Sequence, residues 1–140
     1  MSESRTAVER DLGLLSLRLA VGGLMLFHGV GKLVGGIAWL GPLLEKNGLP
    51  AFLSFGVYAG EILAPILLIL GFATRTASAL LIATMLIAIY LVHPTDVFKI
   101  GEHHEYALEL HVLYIVGALA IALVGPGRWR VPTPKWARHL

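Results

Sequence analysis

Cysteine is absent from this 140-residue chain. That excludes CxxC thiol chemistry, thiolate-held zinc or iron–sulfur centres and disulfides, and it leaves the compartment undecided by redox logic. Charge is scarce as well. Asp, Glu, Lys and Arg make up 14% of the residues, against ~25% in ordinary globular domains. The formal net charge is +2 and the basic residues lie at the ends, a pattern of membrane orientation and not of nucleic-acid binding. There is no Walker loop, G-x-S-x-G, Rossmann glycine pattern or bis-histidine haem spacing. No HxxxH or ExxH pair falls on one helix face, and His103 and His104, as neighbours, diverge on a helix. No metal site is therefore expected.

What remains is apolar. Hydrophobic residues make up 56% of the chain, with 16 glycines among them, a composition that suits close helix packing in lipid. Four runs are long enough to cross a bilayer, which needs ~20 residues at ~1.5 Å each. They are about 12–33, 50–71, 76–93 and 106–124. The prediction is an all-α, polytopic membrane four-helix bundle, one domain over residues 1–140. Residues 1–11 read as a polar tail. Residues 34–49 read as a Gly- and Pro-punctuated connection with room for a short amphipathic or re-entrant piece. The short turn Phe72–Arg75 makes the second and third spans antiparallel neighbours.

Four spans put both ends of the chain on one side. That side carries Arg5, Arg10, Arg75, Arg128, Arg130, Lys135 and Arg138, and the other only Lys46 and Lys99, with Lys32 at its edge. The positive-inside rule then places both termini in the cytoplasm, with Trp39, Trp129 and Trp136 as interface anchors.

The second span holds one charge, Glu61, near its middle. A carboxylate there costs roughly 2.5–3.5 kcal/mol on insertion scales and is a functional-site candidate by default. Ser54, Tyr58 and Glu61 form one polar stripe at i, i+4, i+7. Pro65 withholds the N–H that would bond the Glu61 carbonyl, so the helix should kink there. Topology brings His28 and Lys32 to the outer mouth of the bundle together with Glu109, which should find Lys32 or His28 as a partner. His111 lies opposite Glu109 on the helical wheel, so at most one of them lines the centre. Arg18 sits deep and needs an acid; Glu61 is the expected partner. The candidate buried polar site is thus Arg18, His28, Lys32, Tyr58, Glu61 and Glu109. Blander readings stand beside it: Lys32 snorkelling to the interface, His28 hydrogen-bonded to a neighbouring helix, and Glu61 held in a purely structural ion pair.

Several segments resemble the DoxX family of small membrane proteins. They are Arg18-Leu19-Ala20-Val21-Gly22 leading to His28-Gly29-Val30-Gly31-Lys32, Gly48-Leu49-Pro50, Gly60-Glu61, Leu70-Gly71-Phe72-Ala73-Thr74-Arg75 and Gly125-Pro126-Gly127-Arg128-Trp129. The resemblance spans about residues 12–130. It implies a four-helix bundle in the cytoplasmic (inner) membrane and a link to membrane oxidoreductases. With no redox centre on the chain, electron transfer would require a bound quinone, with no covalent cofactor, or a protein partner. The alternative is non-enzymatic: a small-solute transport or partner-docking protein in the lipid bilayer, assembled as a homo-oligomer.

Overall fold

The computed structural model describes residues 2–101, 104–132 and 134; Glu102, His103, Lys135, Trp136 and Arg138 lie outside the described residues. Five helical elements follow in order: α1 (Ser2–Gly35), α2 (Leu40–Lys46), α3 (Ala51–Leu70), α4 (Thr74–Val92) and α5 (Glu109–Val124). The architecture is an all-helical membrane bundle. The segments Arg5–Gly35, Ala51–Leu70 and Thr74–Val92 are long and apolar enough to cross a membrane, and Glu109–Val124 is a shorter apolar helix. At 16 residues, α5 reaches about 24 Å, short of the ~30 Å hydrocarbon core. It begins later than the apolar run because Tyr106 forms an isolated antiparallel bridge with Ile100 and Ala107 N–H bonds to Lys99 O. The N-terminal tail is helical. Arg5 and Glu9 pair across one turn at 3.4 Å, and α1 extends them into its apolar part without a break.

The long helices pack in a ring: α1 against α3 and α5, and α4 against α3 and α5. Each contributes apolar residues to one core, among them Met25, Leu68, Leu81 and Ile121, all buried. Outward-facing Phe27 and Leu123 are more than 70% exposed, as expected for side chains meant to meet lipid.

The irregularity expected at Pro65 takes a definite form. The turn Ala59–Leu63 is π-helical, with Glu61 at its centre, and α-helix resumes at Ala64. The proline nitrogen cannot close an α-turn onto the Glu61 carbonyl, and the chain widens by one residue instead. That carbonyl faces Gly29 of α1, where a Cβ would overlap it. On the other side of α3, Gly60 sits against Thr84 of α4, again with no room for a Cβ. These two contacts set the axial register of α1, α3 and α4 around Glu61.

Candidate functional site

Two buried charges lie at opposite ends of the α1–α3 seam. Arg18 is 1% exposed. Its Nε donates to the Leu68 carbonyl at 2.7 Å, Nη2 to Ile69 at 2.7 Å, and Nη1 to Pro126 and Trp129 at 2.6 Å each. Four of the five guanidinium N–H groups are thus used. The local backbone explains why carbonyls gather there. Gly71, at φ 71°, ends α3 with a left-handed cap, and Phe72 N–H bonds back to Leu67 O and Gly71 N–H to Leu68 O, a Schellman ending. The remaining orphan carbonyls of the last turn go to Arg18 (Ile69) and to the Val131 N–H (Leu70). A Cβ on Gly71 would lie 2.5 Å from Arg18 Nη2. Arg18 therefore closes the dipole-negative end of α3 and ties the post-α5 segment to it.

The expected Arg18–Glu61 pair does not form. Gly29 lies opposite Glu61, and Gly22 opposite Pro65 and Ile69. Arg18 precedes Gly29 by about 16 Å along α1 at ~1.5 Å per residue, too far for the side chain to reach the carboxylate. Lys32, less than one turn beyond Gly29, is at the right level. Its Nζ contacts both Glu61 oxygens, at 2.5 Å for Oε2. The Glu61 side chain is 4% exposed and that of Lys32 27%. The pair is buried on its acidic side and accessible on its basic side.

A cavity of about 440 Å³ opens beside this pair. Its wall comes from α2 (Leu40, Leu44), the first half of α3 (Leu53, Val57) and one face of α4 (Ile87, Leu91), with Trp39 at its rim. Lys32 and Glu61 are the charged residues lining it, and Thr84 adds a hydroxyl that already donates to the Leu80 carbonyl at 2.9 Å. The Gly-rich stretch before α2 and the left-handed Gly48 after it fold that short helix back onto the first turn of α3.

The other predicted residues divide. Tyr58 is half-buried, and its hydroxyl makes a long 3.4 Å contact to the Lys32 carbonyl. Ser54 is buried. His28 is exposed, its ring edge-to-face with Tyr114 at 6.0 Å. Glu109 departs from the expectation. It is exposed, and no ion pair among the described residues joins it to Lys32 or His28. Because α5 starts only at Glu109, its inward face runs through Leu108, His111 and Tyr114, leaving Glu109 outside.

Two histidines escaped the candidate set. His93, at the end of α4, stacks edge-to-face with His111 at 5.1 Å. On its other side His93 Nδ1 lies 2.9 Å from Asp96 Oδ2, and Lys99 Nζ lies 2.6 Å from Asp96 Oδ1. Hydrogen bonds from Lys99 and then His93 hold the Asp96 carboxyl down to about 2. The polar loop after span three was the available signal. Among the described residues no group of three or more His, Asp or Glu side chains could hold a metal ion.

The sequence profile of the DoxX family matches residues 13–94, a stretch containing Arg18, Lys32, Glu61 and the cavity walls. A relative from Bacillus subtilis (strain 168), named "Putative oxidoreductase CatD", is 29% identical over 108 residues, covering 75% of this chain and 78% of its own. No solved structure matches the chain. The chain belongs to the DoxX family.

Proposed function

We propose that this DoxX-family protein is the quinone-binding membrane component of an oxidoreductase, taking the quinone head group at the Lys32–Glu61 end of the apolar cavity. The observation that carries this reading is an ion pair supplying the only charges among the residues lining a cavity of about 440 Å³. The name of the Bacillus subtilis relative, "Putative oxidoreductase CatD", points the same way.

The donor set fits such a ligand. An ammonium has three N–H donors; two of Lys32's are taken by the Glu61 oxygens, and the third is free to bond a ligand carbonyl. The wall of Leu40, Leu44, Leu53, Val57 and Ile87 matches an apolar tail, which enters from lipid and is held by packing, not by removal from water. A bound quinone supplies a two-electron, two-proton couple. Lys32 would orient its carbonyl, and Glu61 would take up a proton and hand it to the head group as it is reduced, shielded from bulk water. The electrons come from a partner redox subunit.

In this reading the protein sits in the inner membrane with both termini cytoplasmic, as Arg5, Arg10, Arg75, Arg128 and Arg130 favour. The cysteine-free chain makes this testable: a thiol placed by Ala73→Cys should be labelled from the cytoplasm and one placed by Thr95→Cys from the opposite side.

The binding test uses the full chain in nanodiscs with decylubiquinone. Saturable quenching of Trp39 fluorescence, absent in Trp39→Phe, is expected. Lys32→Met should weaken it at least about tenfold, the loss of one charge-assisted hydrogen bond. No saturable quenching, or equal affinity in Lys32→Met, would overturn the proposal. Solute uptake into proteoliposomes without quinone binding would instead favour a transport function.

A further inference from the structure

We infer that Arg75, Arg128 and Arg130 bind the head group of an anionic phospholipid at the bilayer edge where α3 ends. The inference is independent of the quinone site. It rests on how the chain folds around the Arg18 end of the α1–α3 seam.

Arg18 spends two of its hydrogen bonds on the segment that follows α5. Its Nη1 holds the Pro126 and Trp129 carbonyls at 2.6 Å each, and the Val131 N–H bonds to the Leu70 carbonyl at 3.0 Å. Between these fixed points the chain turns tightly. The Arg130 N–H bonds to the Arg128 carbonyl at 3.1 Å, a three-residue turn with Trp129 at its centre. Arg130 is seated on the cap of α3, since a Cβ added to Gly71 would lie 2.8 Å from the Arg130 Cβ. Arg75 lies in the first turn of α4, just beyond the same glycine. The backbone of the patch is thus fixed, while its side chains are free. All three arginines are exposed, and among the described residues none of them makes an ion pair or a side-chain hydrogen bond.

The acids described at this end are engaged elsewhere. Glu9 pairs with Arg5. Asp11, which faces Gly127, is buried and lies 3.4 Å from Arg10. Three cations without a counterion, above a fourth that is sealed, favour an anion. The guanidinium fork matches the oxygens of a phosphate. The surroundings select a lipid over a free phosphate. Leu70, at the end of α3, and Val124, at the end of α5, are exposed, and in a membrane bundle such side chains meet acyl chains. Trp129, 53% exposed between the two arginines of the turn, has the amphipathic ring that settles at the head-group level. A ligand with its phosphate at the arginines and its chains along Leu70 and Val124 satisfies both halves of the patch.

The test is native mass spectrometry of the full-length protein in detergent, titrated with dioleoyl phosphatidylglycerol or with dioleoyl phosphatidylcholine. Saturable binding of phosphatidylglycerol is expected, at least about tenfold tighter than that of phosphatidylcholine. Arg128→Gln combined with Arg130→Gln should abolish the preference, and Arg75→Gln should reduce it. Arg5→Gln combined with Arg10→Gln removes the same charge from the same end and should leave it intact. The charge-retaining pair Arg128→Lys and Arg130→Lys should bind phosphatidylglycerol more tightly than the glutamine pair, which separates loss of charge from loss of fold. Equal binding of the two lipids, an equal loss in the Arg5 and Arg10 variant, or a lysine pair no better than the glutamine pair would overturn the inference. Displacement of the lipid by millimolar glycerol phosphate would also overturn it, marking the patch as a site for a free phosphate.

Discussion

Where α3 ends, a buried cation meets only backbone carbonyls; at the middle of α3, a buried anion meets a lysine that stays partly open. The Arg18 guanidinium is 1% exposed and bonded to four carbonyl oxygens from two separate segments. Four of its five N–H groups are spent on those carbonyls, and it does not line the cavity at Glu61. Glu61 is equally buried, but its partner lines a cavity and keeps a donor free. The difference teaches how to tell a structural charge from a usable one. Removal from water is common to both; what separates them is unspent hydrogen-bonding capacity facing a space that a ligand can enter.

The largest effect is expected where the charge is sealed. Arg18→Met strands the carbonyls of Ile69, Pro126 and Trp129. At roughly 1–3 kcal/mol for each buried acceptor left bare, it should cost about 3 kcal/mol or more, read as a fall in unfolding temperature in nanodiscs. Arg18→Lys should recover only part of this, since one ammonium cannot span both segments. Full stability in Arg18→Met would break the comparison from its structural side.

Next comes the seam. Gly29→Ala drives a methyl into the Glu61 carbonyl. Forcing α1 from α3 should cost about 1–3 kcal/mol and weaken decylubiquinone binding as Lys32 moves away from Glu61. An unchanged unfolding temperature would mean that the two helices are free to separate there.

A double-mutant cycle sharpens the contrast with a smaller number. Lys32→Met combined with Glu61→Gln should show a coupling of about 1–2 kcal/mol, whereas Arg18→Met with Glu61→Gln should be additive within about 0.5 kcal/mol. The opposite pattern would restore Arg18 as the partner of Glu61.

The smallest effect lies in the loop. The carboxyl of Asp96 is lowered from 3.8 to about 2 in the folded chain. A group so depressed stabilises the fold fully above pH 3.8, and that contribution is lost as pH falls through about 2. Asp96 is solvent-facing, so the change is slight. Asp96→Asn should flatten the dependence of unfolding temperature on pH between 4 and 2; an identical slope in both proteins would deny Asp96 that role.

Much of the fold was legible in the sequence because apolar length is a one-dimensional signal. The runs around Leu12–Leu33, Pro50–Gly71 and Thr76–His93 needed no knowledge of their neighbours. Partner choice was not legible, because it depends on axial register. Gly22 and Gly29 read only as generic packing positions, and Gly60 only as part of a family-like segment; in the fold their close contacts put Lys32, and not Arg18, beside Glu61. Nor does a helical wheel reveal that α5 begins at Glu109 and turns that residue outward while His111 points in. The cavity was hidden for a similar reason. Its wall on one side is the short helix Leu40–Lys46, whose return onto α3 is a tertiary event.

The most direct test of the Lys32–Glu61 end as the ligand site is photolabelling of the full-length protein in nanodiscs with a short-chain azidoquinone, followed by peptide mapping. Label is expected on cavity residues such as Leu53, Val57 and Ala88, competed by decylubiquinone and strongly reduced in Lys32→Met. Label concentrated around Leu68–Gly71 beside Arg18, or undiminished in Lys32→Met, would contradict it.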